Sequence, residues 1–304
     1  MADSDNLRNA KVVKNDEYYT KASDIENELR HYKEHFRGKT ILCNCDDPTW
    51  SEFWRYFHLN FAFLGLKKLI STHYDSDKPT YKMVYEGGND ADYEVGEKTK
   101  FMQNGDFESK ECLDLLDECD IVATNPPFSL ARRYLRTLME HNKKFVIVGD
   151  LNWITYKEVF PLITENRIWL GNNHIKEFRQ PDGTFKQFGN KLWFTNLDIP
   201  KRHEKLILWE HYSPDKYPKF DNFDAISVNK VNEIPCDYDG LMGVPVSYLD
   251  RWNPDQFEVV GADFQLAQPE MLPDGKKGTG RFYLCEDDGR KRLYSRIVIR
   301  KKSA

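Results

Sequence analysis

The sequence predicts an α/β protein with a mostly parallel sheet and helices on both faces. Strand-length apolar runs alternate along the chain with segments of helical apolar spacing. The run over 121–123 ends in a rigid polar turn, the kind of place where open α/β sheets bind ligands. From about Tyr212 prolines become frequent, with many Asp and Asn residues. These observations predict a doubly wound, Rossmann-like sheet followed by an irregular C-terminal region.

The composition is that of a globular protein with reduced cysteines. The chain has 304 residues, 14% of them aromatic, and six scattered cysteines. No apolar run approaches the roughly 18 residues that a membrane span needs, and the acidic start, 1–5, does not resemble a signal peptide. These features predict a cytoplasmic protein without a membrane segment. Cys43 and Cys45 are too closely spaced for a zinc knuckle, so no metal site is predicted.

The first predicted elements are a flexible lead-in over 1–15 and a helix that begins near Ser23. Ser23 and Glu26 have the spacing of a capping box. Gly38 is suited to end the helix in a left-handed conformation. Its apolar face consists of Ile25, Leu29, Tyr32 and Phe36.

Acidic residues follow each of the first two predicted strands. The apolar run 40–45 is followed by a helix over 51–57, capped by Thr49 or Ser51. The residues between them are Asp46, Asp47 and Pro48, without the glycine-rich loop that often holds nucleotides. After the second strand, 68–72, Asp75 or Asp77 has the position that usually binds ribose hydroxyls, or either simply forms a turn.

The segment between 79 and 118 predicts a surface insertion and then a helix. Residues 79–98 are polar and contain adjacent glycines, which favours a loop. Gly105, Asp106 and Phe107 then precede an amphipathic helix over 112–118. Asp106 either caps that helix or contributes to a binding site.

The turn formed by Asn125, Pro126, Pro127 and Phe128 follows a strand and has an unusual set of functional groups. The two prolines lack an N–H, and Asn125 is held extended because a proline follows it. The Asn125 side-chain oxygen and the Pro126 carbonyl can each accept one hydrogen of an adenine amine. Accepting both localises the nitrogen lone pair for attack on an electrophilic methyl, while Phe128 stacks on the base. The alternative is a structural turn with a buried phenylalanine.

The remaining predicted elements are a capped helix, several strands and a basic tail. Ser129 is predicted to cap a helix, and strand 145–149 and helix 156–163 follow. Segments 191–195 and 205–209 are predicted to form an antiparallel pair. The inner face of the Ser129 helix consists of Tyr134, Leu135 and Leu138. The loop 172–190, the proline-rich region and the basic tail after Lys276, with a strand over 292–299, are the predicted DNA-reading parts.

Several segments in order resemble the EcoRI-type family of adenine-specific DNA methyltransferases. They include 16–20, 25–29, 43–48, 105–107, 120–130, 156–160, 169–171, 217–222 and 242–245. The Asn-Pro-Pro-Phe turn is also similar to the motif of S-adenosylmethionine-dependent N6-adenine methyltransferases. The resemblance implies S-adenosylmethionine as cofactor and a bacterial or phage origin. It implies cofactor contacts from Tyr19, Thr20, Asp46, Asp47, Pro48, Asp75, Asp106 and Phe107.

The expected activity is therefore methylation of adenine N6 in a base flipped out of double-stranded DNA. The expected domains are a catalytic domain over 16–212 and a target-recognition region over 213–304. A restriction endonuclease acting on the same site is an expected partner, and the protein is expected to be a monomer. Two alternatives stay open: methylation of RNA adenine or a protein amide, and a DNA-binding module without catalysis.

Overall fold

The computed structural model describes residues 19–180, 182–267, 280–286, 289–292 and 294–302. The chain forms two compact units, the first with residues up to 160 and 168–197, the second with 161–167 and 198 onward. The predicted lead-in over 1–15 lies outside the described residues. The assignment of catalysis to 16–212 and of target recognition to 213–304 stays a prediction. No described helix is both long and apolar enough to span a membrane.

The first unit is a mixed α/β structure with an eight-stranded sheet. Its helices are α1 (Ala22–Leu29), α2 (Lys33–Phe36), α3 (Glu52–Leu59), α4 (Phe61–Leu64), α5 (Lys110–Glu118) and α6 (Ala131–Glu140). The next helix in the chain, α7 (Phe160–Thr164), belongs to the second unit except for its first residue. The strands are β1 (Thr40–Cys43), β2 (Lys68–Thr72), β3 (Tyr81–Tyr85), β4 (Glu97–Lys100), β5 (Ile121–Thr124), β6 (Lys144–Asp150), β7 (Trp169–Arg179) and β8 (Phe185–Thr195).

The sheet has a parallel centre and antiparallel ends. The strand order is β4-β3-β2-β1-β5-β6-β8-β7. Strands β2, β1, β5 and β6 are parallel neighbours, and two antiparallel strands extend the sheet at each side. Every residue of β1 and β5 is buried, which is typical of parallel strands covered on both faces. This centre places the carboxyl ends of β1 and β5 side by side.

Helix faces were predicted better than helix caps. Ile25, Leu29, Tyr32 and Phe36 are all fully buried, and Gly38 has a φ of +70°, as predicted. Ser51 caps α3 by accepting a hydrogen bond from the Phe53 backbone, which is also confirmed. The capping box is wrong, because Lys21 precedes α1 and its carbonyl accepts from Asp24 and Ile25. Ser129 does not cap α6 either, since a 3-10 turn over Phe128–Leu130 comes first.

Three predictions about loops and pairing are wrong. Part of the expected insertion 79–98 forms β3 and β4, and the polar residues of β4 suit an exposed sheet edge. The expected loop 172–190 lies in the β7–β8 hairpin, so β8 pairs with β7 and not with 205–209. Residues 205–209 form no strand, and the helix expected over 156–163 is limited to α7.

The second unit contains regular sheets where irregular structure was predicted. Its strands are β9 (Lys219–Phe220), β10 (Phe223–Ser227), β11 (Met242–Pro245), β12 (Phe257–Ala262), β13 (Tyr283–Glu286), β14 (Gly289–Arg292) and β15 (Arg296–Lys301), with helix α8 (Asp263–Leu266). One sheet has the order β12-β15-β11-β10-β9, and β13 pairs with β14. Prolines indicated loops, yet Pro245 ends β11 within this sheet. The strand expected over 292–299 is confirmed in part by β15.

Candidate active site

A cavity of about 320 Å³ lies at the carboxyl ends of β1, β2 and β5. Strand β1 pairs with β2 on one side and β5 on the other, so the chain changes direction across the sheet at β1. Ligands of open α/β sheets bind at such a point, in pockets of about 300–1,000 Å³. The predicted site residues that line this cavity are Tyr19, Thr20, Asp46, Asp47, Asp106, Phe107, Asn125, Pro126 and Pro127.

Asp46 connects the loop after β1 to the proposed catalytic turn. Its Oδ2 accepts hydrogen bonds from the Thr124 hydroxyl and, at 3.3 Å, from the Asn125 backbone N–H. Its Oδ1 accepts from the Ser51 hydroxyl at 2.8 Å. Burial raises the pKa of Asp46 to about 6, although these three hydrogen bonds oppose the shift. Both carboxylate oxygens are therefore used within the protein, and Asp46 holds the start of the Asn125 turn in place.

Asp47 is similarly engaged at the neighbouring position. Its Oδ1 accepts from the Thr49 hydroxyl at 2.7 Å and from the Tyr81 hydroxyl at 2.9 Å. Its Oδ2 lies 2.8 Å from His73 Nδ1. Since Tyr81 belongs to β3 and His73 follows β2, this carboxylate connects β3 to the cavity wall.

The segment before α5 needs a glycine to approach the cavity. Gly105 has a φ of +75°, and a Cβ built there would lie 2.1 Å from the His73 carbonyl oxygen. Asp106 Oδ1 accepts from the Glu108 backbone at 2.8 Å, whereas Ser109 caps α5. Asp106 thus lines the cavity and is not the helix cap.

Tyr19 and Thr20 form one wall of the cavity. The backbones of Tyr19 and Arg179 exchange two hydrogen bonds, so the hairpin strand β7 fixes this segment. The Tyr19 ring lies 4.1 Å from the ring of Trp50, centroid to centroid. The Thr20 hydroxyl is buried and has no hydrogen-bond partner among the described residues. Thr20 lines the cavity, and the cost of burying its hydroxyl without a partner fits a polar ligand there.

Pro48, Asp75 and Phe128 lie outside the cavity lining. Pro48 is buried behind Asp47. Asp75 Oδ1 accepts from the Asp77 backbone at 3.0 Å, an arrangement that closes a turn. The proposed roles of these three residues stay predictions.

Phe128 lies in an aromatic and cationic environment. The Lys191 Nζ atom is 3.7 Å from the centroid of its ring, and the same Nζ lies 2.6 Å from Asp150 Oδ2. The rings of Trp153 and Phe178 pack against Phe128 at centroid distances of 6.5 and 6.0 Å. The Phe128 ring, at the end of the turn, is therefore packed against two aromatic rings and the Lys191 ammonium group.

Sequence reasoning missed several residues that line the cavity. They are Asn44, Cys45, Trp50, Ser51, Glu52, Phe53, Thr72, His73, Tyr74, Gly105, Ser129 and Leu130. Asn44, His73 and Tyr74 directly follow the apolar part of β1 or β2, a position that could have indicated them. Trp50 and Glu52 have no comparable signal, because only the turn after Asp47 brings them to the cavity.

One group outside the cavity has the side chains of a metal site. His211, Cys236 and Asp237 place one potential ligand atom each within 4.8 Å of the others. All three belong to the second unit. The cavity itself is lined by carboxylate, amide, hydroxyl and aromatic groups.

Comparison with known proteins identifies relatives of this chain. The family model for the adenine-specific methyltransferase EcoRI matches residues 6–302. The Type II methyltransferase M.EcoRI of Escherichia coli is 46% identical over 89% of the chain and 93% of the relative. The Type II methyltransferases M.MgeORF184P of Mycoplasma genitalium and M.MpnI of Mycoplasma pneumoniae are each 36% identical over 96% of the chain, covering 98% and 97% of the relatives. No solved structure shows significant similarity. The chain therefore belongs to the EcoRI family of adenine-specific methyltransferases.

Proposed function

We propose that this adenine-specific methyltransferase methylates N6 of an adenine flipped out of double-stranded DNA, with Asn125 and Pro126 binding the target amine. The observation that carries the proposal is that the predicted catalytic residues and the predicted cofactor residues line one cavity. The turn after β5 and the candidate cofactor residues after β1 and before α1 line the same walls. A methyl donor and an amine acceptor must share such a space for direct transfer.

The turn supplies hydrogen-bond acceptors for a poor nucleophile. The Asn125 side-chain oxygen and the Pro126 carbonyl each accept one amine hydrogen, which localises the nitrogen lone pair toward the methyl group. Asp46 acts as a positioning residue, because it holds the Asn125 backbone and the Thr124 hydroxyl. After transfer the amine nitrogen loses a proton to solvent.

S-adenosylmethionine supplies the electrophilic methyl group when it is bound. Thr20 and Tyr19 are suited to its methionine part, since the Thr20 hydroxyl is buried there without a partner among the described residues. Asp106 and Phe107 are suited to the adenine amine and ring. Pro48 would shape the first loop, and Asp75 would bind the ribose only if its turn rearranged.

An adenine must leave the duplex to reach this turn. Phe128 is proposed to stack on the extruded base, as aromatic side chains do for unstacked bases. The packing of Trp153 and Phe178 against Phe128 supports this role, because a stacking platform has to be held rigidly.

The finer fold and the partners are further parts of the proposal. We infer a doubly wound, Rossmann-like catalytic unit from the four parallel strands and the change of direction at β1. The relatives' names support a restriction–modification role, with an endonuclease of the same specificity as partner. Target recognition by residues 213–304, a monomeric state and a cytoplasmic location are predictions from the sequence.

The test is to identify the modified base directly. The protein is incubated with S-adenosylmethionine and duplex DNA, and the digested nucleosides are separated by mass spectrometry. We expect N6-methyladenine, confined to one short sequence when the methylated positions are mapped. Methylation of RNA or protein with DNA unmodified would contradict the proposal. Binding of DNA and cofactor without any methyl transfer would instead indicate the DNA-binding module without catalysis.

A further inference from the structure

The cavity has an excess of negative charge. Four carboxylic acids line it, and no lysine or arginine does so among the described residues. The acidic residues are Asp46, Asp47, Glu52 and Asp106. His73 is the basic side chain in the lining, and it contacts Asp47. A concave site lined by one sign of charge raises the local concentration of ligands of the other sign.

The protein compensates these carboxylates only in part. Glu52 Oε1 lies 2.9 Å from Arg55 NH1, and both side chains remain partly exposed. Asp46, by contrast, is 5% exposed and its contacts are hydroxyl and backbone groups. Charge interactions are much stronger in such a buried place than in water. The interior of the cavity therefore favours a cation.

Of the five Phe, Tyr and Trp side chains that line the cavity, Tyr19 and Trp50 pack against each other. The Tyr19 and Trp50 rings are 4.1 Å apart, and Trp50 is 39% exposed. Each is fixed through its backbone, Tyr19 by Arg179 and Trp50 by an N–H donated to the Asp47 carbonyl at 3.2 Å. The faces of tryptophan and tyrosine attract cations, tryptophan most strongly.

We propose that the cavity selects the positively charged methyl donor over its neutral demethylated product, and that the Trp50–Tyr19 ring pair carries this selection. The inference rests on the proposed placement of S-adenosylmethionine. Donor and product differ only in the methyl group and the charge of the sulfur centre, a sulfonium in one and a thioether in the other. The adenosine and amino-acid contacts are therefore common to both, and the charge-dependent contacts decide between them.

The expected consequence is weak inhibition by product. A cation over an aromatic face contributes about 1 kcal/mol at partly exposed sites, and more when it is desolvated. This free energy corresponds to a dissociation constant about fivefold to tenfold lower for the methyl donor than for its product. The sulfur centre has to lie between the Thr20 wall and the Asn125 turn, because the methyl group must face the target amine.

Calorimetry of the full chain without DNA tests the proposal. Three ligands are compared: S-adenosylmethionine, S-adenosylhomocysteine and an analogue with a protonated amine in place of the methylsulfonium. We expect the two charged ligands to bind about fivefold to tenfold more tightly than S-adenosylhomocysteine. Trp50→Leu should remove most of that difference, because it should weaken the binding of the two charged ligands alone. Trp50→Phe keeps an aromatic ring and should retain part of the difference. Trp209→Leu, which removes a 62% exposed tryptophan in the second unit, is the matched control.

The outcomes separate this inference from the proposed function. Equal weakening of all three ligands by Trp50→Leu would place the rings at the shared ammonium group and overturn the assignment. Equal or tighter binding of S-adenosylhomocysteine by the unaltered protein would overturn the selection itself, although the cofactor site would stand. Failure of all three ligands to bind would contradict the proposed function.

Discussion

Asn125 and Asp46 meet at the carboxyl end of β5, where one is proposed to bind the substrate amine and the other to hold the turn. Asn125→Ala should lower kcat at least about a hundredfold, because loss of one acceptor costs about 3 kcal/mol of barrier by analogy with single-donor losses in oxyanion holes. Cofactor affinity should stay nearly unchanged, since other loops line that part of the cavity.

The measurements are single-turnover methylation and cofactor calorimetry. Asn125→Asp keeps one acceptor of the same size, so partial activity is expected from this matched variant. Full activity of Asn125→Ala on cognate DNA would make the turn purely structural.

The raised pKa of Asp46 predicts a pH dependence of stability. Burial raises the pKa of Asp46 in the folded protein to about 6, from an ordinary value of 3.8 for aspartate. The folded state therefore binds the proton more tightly, and this contribution to stability is lost as the pH rises from about 4 through about 6. Asp46→Asn cannot ionise at this position. Its free energy of unfolding, relative to that of the unaltered protein, should therefore rise by up to about 3 kcal/mol between pH 4 and pH 7.

Urea unfolding at pH 4, 5.5 and 7 measures this difference. Asp114→Asn is the control, since Asp114 is an exposed carboxylate on α5. If the difference in unfolding free energy between Asp46→Asn and the unaltered protein did not change with pH, the raised pKa of Asp46 would be contradicted.

Thr20→Val should separate stability from cofactor binding. Valine replaces the buried hydroxyl, which has no partner among the described residues, so the unfolding free energy should rise by up to about 1 kcal/mol. Affinity for S-adenosylmethionine should fall about tenfold or more, as expected for a lost hydrogen bond to a charged group. Thr137→Val is the control, because Thr137 lies outside the cavity lining and its hydroxyl donates to the Arg133 carbonyl at 3.0 Å, so its loss should destabilise. Unchanged cofactor affinity in Thr20→Val would exclude the proposed contact.

At the scale of elements, Glu28 joins α1 to β7. Its carboxylate accepts from the backbones of Asn172 and Asn173, each at 2.8 Å, and from the Tyr32 hydroxyl at 2.7 Å. Gly171 fits beside it, since a Cβ there would lie 2.3 Å from Glu28 Oε1 and 2.6 Å from the Trp193 Cβ. The carboxylate thus ties the first helix to the strand that fixes Tyr19.

Glu28→Ala removes the acceptor of the Tyr32 hydroxyl, in a fully buried residue, and of two backbone N–H groups in half-buried residues. It should lower the unfolding free energy by about 3 kcal/mol or more, measured by urea denaturation. Glu26→Ala, at an exposed position on the same helix, should change it by less than about 0.5 kcal/mol. Equal effects of the two substitutions would show that the Glu28 contacts contribute little.

At the scale of the whole molecule, the basic C-terminal segment is structural as well as charged. Strand β15 pairs with β11 on one side and β12 on the other, and Ile297, Val298 and Ile299 are fully buried. Removal of the chain after Gly289 would therefore break the second sheet. Deletion cannot separate a loss of DNA contacts from a loss of folding.

Charge substitution is the cleaner test of the predicted DNA contacts. Lys302→Gln should weaken DNA binding about equally for all sequences, because phosphate contacts position the protein without specifying bases. The slope of log affinity against log salt should become shallower by about 1 if Lys302 neutralises one phosphate. Lys110→Gln, an exposed lysine of the first unit, is the control. An unchanged slope for Lys302→Gln would show that Lys302 is only solvated surface.

The sequence by itself determined the parts of this protein that depend on local pattern. Strand β2 and the buried faces of α1 and α6 follow from hydrophobic spacing. Capping chemistry limited the cap of α3 to Thr49 or Ser51, of which the structure has Ser51. The turn over 125–128 could be recognised because prolines restrict their own backbone whatever surrounds them. Local rules of this kind act within a few residues, so the chain order alone is sufficient.

Only the tertiary structure decided which distant residues meet. The polar edge strand β4 has the composition of a loop, and its identity depends on β3, with which it pairs. The β7–β8 pairing was missed for the same reason. Asp46 could be predicted for the site, but its hold on Asn125 depends on a contact across 79 positions of sequence. Trp50 could not be predicted for the cavity lining either, because cavities are formed by packing between elements and no local pattern specifies them.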